Sequence, residues 1–273
     1  MKDSQANFLS EIKIARIPSK FDRILSLLKY LITGKNFDLF PKEESLFRYI
    51  CRKPIPYKTI CKIIQLSSKE YIKNPQVLCT DDQHLKRVID YTLKVTNANK
   101  ATGSVRRMQP YYQLIQTFSD KPLCDSDLLV VGPRMPIELF LAWTYGFKWK
   151  KIRAIDLISY HPKIELMDVD SMSIESNSLD CIVMANVWGY NNNPEACMTG
   201  LSKVLRKKGL LAFNSSTSKP PIAPETHRSG LFTRDQLKDL LSSRNLNVIS
   251  CQKTEETATH ISYTWIVQKD SDY

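Results

Sequence analysis

Residues 128–156 read LLVVGPRMPIELFLAWTYGFKWKKIRAID, and this stretch decides the fold class. An apolar run at 128–131 ends at Gly132, and two prolines then break the chain before an apolar-periodic segment reaches Tyr145. A second short apolar run ends at Asp156. The pattern predicts a buried strand, a tight turn, a helix and a second buried strand followed by a carboxylate. Such an alternation is typical of an α/β protein with a parallel sheet.

The rest of the C-terminal half continues the alternation of strands and helices. Thr233, followed three residues later by Gln236, marks the start of a helix that extends to Ser243. The remaining predicted elements are strands near 163–167, 180–184, 209–214, 247–252 and 262–269, and a helix near 194–206. The last two strands are joined by a short polar stretch, which predicts an antiparallel hairpin at the end of the sheet.

Four blocks between about residues 127 and 213 carry a resemblance to a known family. They are the turn after the first strand, Asp156, the segment 168–180 (DVDSMSIESNSLD) and the segment 201–213 (LSKVLRKKGLLAF). In this order and spacing they resemble the core of the class I S-adenosylmethionine-dependent methyltransferases. The resemblance implies an α/β fold with a Rossmann-like seven-stranded methyltransferase sheet, mostly parallel with an antiparallel last strand.

The resemblance also implies S-adenosylmethionine as the cofactor. In the family, an acid at the position of Asp156 holds the ribose hydroxyls, and one at the position of Asp168 contacts the adenine amino group. The cofactor-binding positions implied in this chain are Gly132, Pro133, Arg134, Glu138, Asp156, Leu157, Asp168, Val169 and Asn186.

The first turn departs from the family pattern, which usually reads acid-x-Gly-x-Gly-x-Gly. Val130 stands where the acid belongs, and Gly132 is the one glycine of the three that is kept. Pro133 and Pro136 offer no N–H groups to a ligand. Glu138 either supplies the missing acid or is a favourable carboxylate in the first turn of a helix. The turn therefore fits a divergent enzyme or a fold that has lost its cofactor.

The stretch after the fourth core strand is predicted to face the substrate, because ligands of open α/β sheets sit beyond the carboxyl ends of the strands. Trp188 and Tyr190 lie there, and Tyr111 and Tyr112 precede the first core strand. We predict substrate contacts for all four, with plain packing as the alternative. A proline-rich loop holds Glu225 and His227, which are the acid–base candidates.

The net charge of +11 is concentrated in the N-terminal part. Residues 1–120 hold 21 Lys and Arg against 11 Asp and Glu. We predict a helical, basic extension over residues 1–103, which includes an apolar-periodic helix around 21–32, and a methyltransferase domain over 104–273. A basic surface suits nucleic acid or anionic lipid, so an RNA-binding role and peripheral membrane contact are alternatives to a plain solvated surface.

The composition narrows the setting. No apolar run is long enough to span a membrane, and the first residues lack the apolar core of a secretory signal. The seven cysteines are scattered without a Cys-x-x-Cys pair, which predicts no metal site and no disulfide framework. The expected location is the cytoplasm.

The predicted function is methyl transfer from S-adenosylmethionine to a small-molecule or saccharide acceptor at a hydroxyl. The Val-Gly-Pro-Arg form of the turn is similar to that of bacterial methyltransferases associated with surface glycans or small metabolites. The alternatives are an RNA methyltransferase that uses the basic N-terminal half and a catalytically inactive scaffold.

Overall fold

A computed structural model describes residues 44–67, 74–98, 107–133, 135–218 and 232–270. The predicted helix around residues 21–32 lies outside these ranges, as do Arg134, Glu225 and His227. Their predicted roles therefore stay predictions.

The centre of the described chain is a seven-stranded sheet with the order β5-β3-β2-β6-β7-β9-β8. All pairs from β5 to β7 are parallel, and β9 is antiparallel to both of its neighbours. The predicted sheet, mostly parallel with an antiparallel last strand, is confirmed. The strands are β1 Gln76–Val77, β2 Leu128–Val131, β3 Ile152–Asp156, β4 Ile158–Ser159, β5 Ile164–Leu166, β6 Leu179–Met184, β7 Leu205–Ser218, β8 Leu246–Glu256 and β9 His260–Lys269.

Helices cover both faces of this sheet and extend N-terminally from it. They are α1 Glu44–Cys51, α2 Pro54–Ser67, α3 Gln83–Ala98, α4 Gln109–Phe118, α5 Pro136–Thr144, α6 Pro194–Val204 and α7 Arg234–Ser242. Thr233 and Gln236 form the predicted capping box at the start of α7. Every residue of α5 is buried, so this helix lies wholly inside the molecule.

Strand β2 divides the core into two layers. All four of its residues are buried, and Leu128 and Val130 join one apolar cluster whereas Leu129 and Val131 join the other. The first cluster is filled by α4 and α5, and the second by α6 and α7. Successive side chains of a strand point to opposite faces, so a strand buried on both sides reads as a continuous apolar run.

Strand β7 begins four residues earlier than the sequence pattern predicts. Helix α6 ends at Val204, and β7 starts at Leu205 with Lys208 in the left-handed region at φ +64°. A Cβ on Gly209 would lie 2.7 Å from the carbonyl oxygen of Arg206. The glycine therefore permits the irregular backbone that lets the chain pair with β6 directly after the helix.

Two of the contacts between the N-terminal elements and the sheet domain lie just after the end of β3. The unpredicted strand β1 pairs with β4, directly after the end of β3. Helix α3 packs Ile89 against Ile158 and Tyr160. The predicted division at residue 103 stays a prediction.

Candidate functional site

A cleft lies at the carboxyl ends of β2, β3 and β6. Strand β2 lies between β3 on one side and β6 on the other, so the order of the strands reverses here, and ligands of open α/β sheets bind at such a switch point. The cleft is lined by residues from α3 and from the ends of β2, β3, β5 and β6. It combines apolar residues of α3 with carboxylates that follow β3 and β5.

Asp156, the predicted ribose-binding acid, ends β3 and lines the cleft. The amides of Leu157 and Ile158 both donate to Oδ1, at 2.6 and 3.3 Å. Among the described residues, Oδ2 receives no hydrogen bond and is available to a ligand hydroxyl. Burial raises the pKa of this carboxyl to about 7, and the two amides oppose that rise.

Two further acids follow β5. Asp168 Oδ1 caps a turn of 3₁₀ helix by accepting from the amide of Asp170 at 3.1 Å. Asp170 Oδ2 accepts from the amides of Asn192 and Asn193, at 2.9 and 2.8 Å. Its other oxygen, Oδ1, is buried in the cleft wall with no hydrogen-bond partner in the described chain. Burial accordingly raises the pKa of Asp170.

The buried oxygen of Asp170 indicates which kind of ligand group the cleft would favour. A buried acceptor without a partner costs free energy, so a ligand donor that reaches it is favoured. Adenine offers an amino group, and ribose offers two hydroxyls. Asp170 Oδ1 and Asp156 Oδ2, which have no hydrogen-bond partner in the described chain, match these donors in kind, and Val169 adds apolar surface to the lining. The residues present therefore fit the nucleoside half of S-adenosylmethionine.

The turn after β2 is filled by protein atoms. Gly132 has φ +68°, and a Cβ there would lie 2.3 Å from Cγ2 of Val187. A glycine is therefore required at this position, because the side chain of Val187 approaches its backbone so closely. Its amide donates to Ile155 O at 2.9 Å, which ties the turn to β3. Pro133 is buried next to it and is not part of the cleft lining.

Arg107 closes the other side of this turn. Its guanidinium donates to both carboxylate oxygens of Glu138 at 2.7 and 3.0 Å, and to the carbonyl oxygens of Ala185 and Gly132 at 2.6 Å each. Four of the five N–H donors of an arginine are used by these contacts. Glu138, predicted to replace the missing acid, is only 1% exposed and is paired with Arg107.

The charge on Arg107 is maintained by its surroundings. Burial disfavours the charged guanidinium, but the carboxylate of Glu138 outweighs burial, and the pKa of Arg107 is raised. A charge buried at this depth is tolerated because it is paired and hydrogen-bonded. The pair links α4, α5 and the ends of β2 and β6.

Asn186, a predicted cofactor-binding residue, and Tyr190, a predicted substrate contact, line the cleft after β6. The backbone of Asn186 is in the left-handed region at φ +57°. Its backbone N–H donates to the side-chain amide of Asn214, and its own side-chain oxygen accepts from that amide. The distances are 2.5 Å from Asn186 N to Asn214 Oδ1 and 2.6 Å from Asn214 Nδ2 to Asn186 Oδ1. The pair joins the carboxyl ends of β6 and β7.

Helix α3 covers the cleft. Leu85, Val88, Tyr91 and Thr92 belong to its lining. The helix is held at one end by His84 Nε2, which lies 2.9 Å from Tyr190 O, and by Tyr91, whose ring centroid lies 5.9 Å from that of Tyr190. The N-terminal region therefore supplies one wall of the cleft.

Three of the aromatic residues predicted to contact substrate are buried in packing positions. Trp188 packs against Phe213 and Phe232, with centroids 6.0 and 5.9 Å away. Tyr112 is fully buried and donates to Glu138 O at 3.1 Å. The Tyr111 hydroxyl is hydrogen-bonded to Thr264, and none of the three lines the cleft. Their predicted substrate roles stay predictions.

The sequence pattern missed three parts of this site. The spacing of apolar residues at 85, 88 and 89 predicts a buried face on α3. It does not predict that this face lines a cleft with residues about 100 positions later in the sequence. The resemblance favours Asp168, and not Asp170, as the acid that contacts adenine. The pairing of Arg107 with Glu138 has no signal in the spacing of the sequence.

Comparisons with known proteins agree with the fold. Residues 148–213 match the family model for the methyltransferase domain. A solved structure of 1,6-didemethyltoxoflavin-N1-methyltransferase from Burkholderia thailandensis is similar over 72% of this chain and 94% of that chain, with 12% identity and a TM-score of 0.52. A SAM-dependent methyltransferase from Aquifex aeolicus is similar over 65% of this chain and 98% of that chain, with 14% identity and a TM-score of 0.47. No curated protein matches the chain.

The described residues contain neither a membrane-spanning helix nor a cluster of metal ligands. None of the helices in the described ranges is long and apolar enough to cross a membrane. Within the same ranges, no group of three or more His, Cys, Asp and Glu side chains has an arrangement that would hold a metal ion. The family match over residues 148–213 and the sheet order show a methyltransferase domain with the fold of the class I S-adenosylmethionine-dependent methyltransferases.

Proposed function

We propose that the chain transfers the methyl group of S-adenosylmethionine to a hydroxyl of a small-molecule or saccharide acceptor. The observation that carries this proposal is the cleft at the switch point, which α3 covers and whose wall holds a buried carboxylate oxygen of Asp170 without a hydrogen-bond partner in the described chain. A cleft that is covered by a helix suits a nucleoside cofactor and a small acceptor better than a nucleic-acid duplex.

The cofactor is proposed to be held mainly through its nucleoside. Asp156 Oδ2 would accept from the ribose hydroxyls, and Asp170 Oδ1 from the adenine amino group, with Val169 against the ring. Bound S-adenosylmethionine supplies a methyl group on a sulfonium, which is already activated for transfer. The protein's task is therefore to place an acceptor oxygen in line with that methyl group and to exclude water.

The amino-acid end of the cofactor would meet the Arg107–Glu138 pair. Because most of the Arg107 donors are used by protein oxygens, this end gains fewer direct hydrogen bonds than the nucleoside does. Asn186 and Gly132 lie beside the pair and line the cleft. Both are predicted cofactor-binding residues, and they are proposed to contact the methionine part by their backbone.

The acceptor is proposed to lie against Asn186, Tyr190 and Asn191, which offer amide and aromatic surface. Such groups suit a sugar or a planar ring. The Burkholderia protein of the same fold holds 1,6-didemethyltoxoflavin together with S-adenosylhomocysteine. Glu225 and His227 are the proposed pair that takes the hydroxyl proton.

Calorimetric titration with S-adenosylmethionine and S-adenosylhomocysteine tests the proposal. We expect binding by the wild type, its loss in Asp156→Ala and no change in the matched exposed control Asp239→Ala. S-adenosylhomocysteine release is then measured with saccharides, small hydroxylated metabolites and RNA as acceptors.

Each outcome of these assays has a defined consequence. Release with a saccharide or a small metabolite supports the proposal. Release with RNA, together with RNA affinity that falls steeply with salt, establishes the RNA alternative instead. A folded wild type that binds neither cofactor form establishes the inactive scaffold.

A further inference from the structure

The turn between α1 and α2 exposes large apolar side chains. Ile55 is 80% exposed, and Tyr49 and Ile50 are 48% and 44% exposed. All three lie within seven residues of one another around Arg52 and Lys53. Single exposed apolar residues are ordinary, but a cluster at a protruding turn marks an interaction surface.

The two helices α1 and α2, which form a hairpin, are anchored to the core by their other side. On the opposite side of the same two helices, Cys51, Tyr57 and Ile64 are buried in the core. The guanidinium of Arg48 lies 4.7 Å from the centre of the Trp143 ring. Helix α1 is therefore fixed to α5, and its outer face is held outward.

The outer face of α2 is basic. Residues 55, 58, 59 and 62 are exposed and recur at the spacing of one helix face, with Ile55 at the tip and Lys58 and Lys62 behind it. Pro54 and Pro56 restrict the backbone around Ile55, so its side chain is presented with little conformational freedom.

The positive charge of this hairpin is not neutralised locally. No Asp or Glu occurs between residues 45 and 69 of the sequence. The structure gives Arg52, Lys53, Lys58 and Lys62 no ion pair with a carboxylate in the described ranges. Instead, Lys53 donates to the Tyr49 hydroxyl at 2.6 Å, and Arg52 lies over the rings of Tyr49 and Tyr145.

Arg52 also reaches a second feature. It lines a surface cleft behind the turn together with Arg48 and Lys121, and no carboxylate belongs to the lining of that cleft. Lys121 is paired with Asp180 at 2.6 Å, whereas Arg52 has no carboxylate partner in the described ranges. An anionic headgroup would find positive charge on both sides of the turn.

We propose that this hairpin face, which consists of Tyr49, Ile50, Ile55, Lys58 and Lys62 and is here named the α1–α2 tip, docks on the anionic surface of a lipid bilayer. The apolar residues would enter the interfacial region, and the lysines would remain at the level of the headgroups. Aliphatic side chains at the tip favour a membrane over nucleic acid, because a phosphodiester backbone gives them nothing apolar to contact. This inference does not depend on the acceptor.

Vesicle co-sedimentation of the full chain tests the proposal. We expect binding to vesicles of phosphatidylcholine with phosphatidylglycerol and little binding to phosphatidylcholine alone, with a strong decrease in high salt. Ile55→Glu and the double variant Lys58→Glu/Lys62→Glu should each weaken binding by about tenfold or more.

Matched controls separate this surface from general charge and hydrophobicity. Ile249→Glu changes another exposed isoleucine, on β8, and Lys203→Glu/Lys207→Glu makes the same change of net charge away from the hairpin. Both should bind like the wild type. Circular dichroism verifies the folding of every variant.

A second readout reports insertion itself. In Ile55→Trp, the emission of the new tryptophan should shift to shorter wavelength when anionic vesicles are added, whereas Ile249→Trp should not shift. The proposal is overturned if the folded wild type ignores anionic vesicles, if the control variants lose binding as much as the hairpin variants do, or if the hairpin residues are needed for RNA binding and not for vesicles.

Discussion

Binding of a nucleoside in the cleft should depend on pH through Asp156. The pKa of this carboxyl is about 7 in the free protein, because burial disfavours its charged form. Ribose hydroxyls donate hydrogen bonds, and the ionised carboxylate accepts them better than the neutral acid does. Ligand binding should therefore select the ionised form and lower the pKa of Asp156.

The size of the effect follows from linkage. Below pH 7 the free protein must lose a proton from Asp156 in order to bind, so the apparent affinity should fall about tenfold for each pH unit between 7 and 5. Above pH 8 the carboxyl is already ionised and affinity should level off. Close to pH 7, about half a proton should be released per ligand bound, rising toward one at pH 6.

Calorimetry measures both quantities. Titration of S-adenosylhomocysteine at pH 6, 7 and 8, in buffers with different ionisation enthalpies, gives the dissociation constant and the number of protons released. Asp156→Asn should bind more weakly at pH 8 but with no proton release and an almost flat pH profile. An affinity that is independent of pH in the wild type, or proton release that persists in Asp156→Asn, would refute this reasoning.

Three further predictions concern the turn and its neighbours. Arg107→Met should lower the free energy of unfolding by about 3–5 kcal/mol in urea titrations, because it leaves the buried carboxylate of Glu138 unpaired; Arg107→Met/Glu138→Gln should recover part of the loss. Gly132→Ala should cost about 2–4 kcal/mol, from the positive φ and the overlap with Val187, and Val187→Ala should relieve only the overlap. Trp188→Ala should cost about 3–5 kcal/mol as a core deletion, with little change in cofactor affinity once the variant is folded; a large loss of affinity at unchanged stability would contradict its packing role.

The sheet could be predicted from the sequence because its signals are local. Strands buried on both faces read as short apolar runs, and the runs at 128–131 and 152–155 coincide with β2 and β3 to within one residue. Asp156 was predicted for the same reason, since it directly follows such a run. The start of β7 was misplaced because the helix pattern continues past Val204, and only the paired backbone reveals the switch to strand.

The walls of the cleft could not be predicted in the same way. The apolar face of α3 predicts that one side of the helix is buried, but it does not predict that this side covers residues near 190. Trp188 illustrates the converse difficulty, because an aromatic residue after a strand end has the same sequence pattern whether it faces a ligand or the core. Its contacts with Phe213 and Phe232 come from β7 and from the segment before α7, which only the fold brings together.

The glycine-poor turn gains a physical explanation from its neighbours. Glycines normally clear space there so that backbone can approach a pyrophosphate or an amino-acid group. In this chain Val187 occupies that space beside Gly132, and Arg107 takes the carbonyl oxygen, so additional glycines would free no surface for a ligand. We propose that recognition of a cofactor depends instead on Asp156 and Asp170, which line the cleft and of which Asp170 has a buried oxygen without a partner in the described chain.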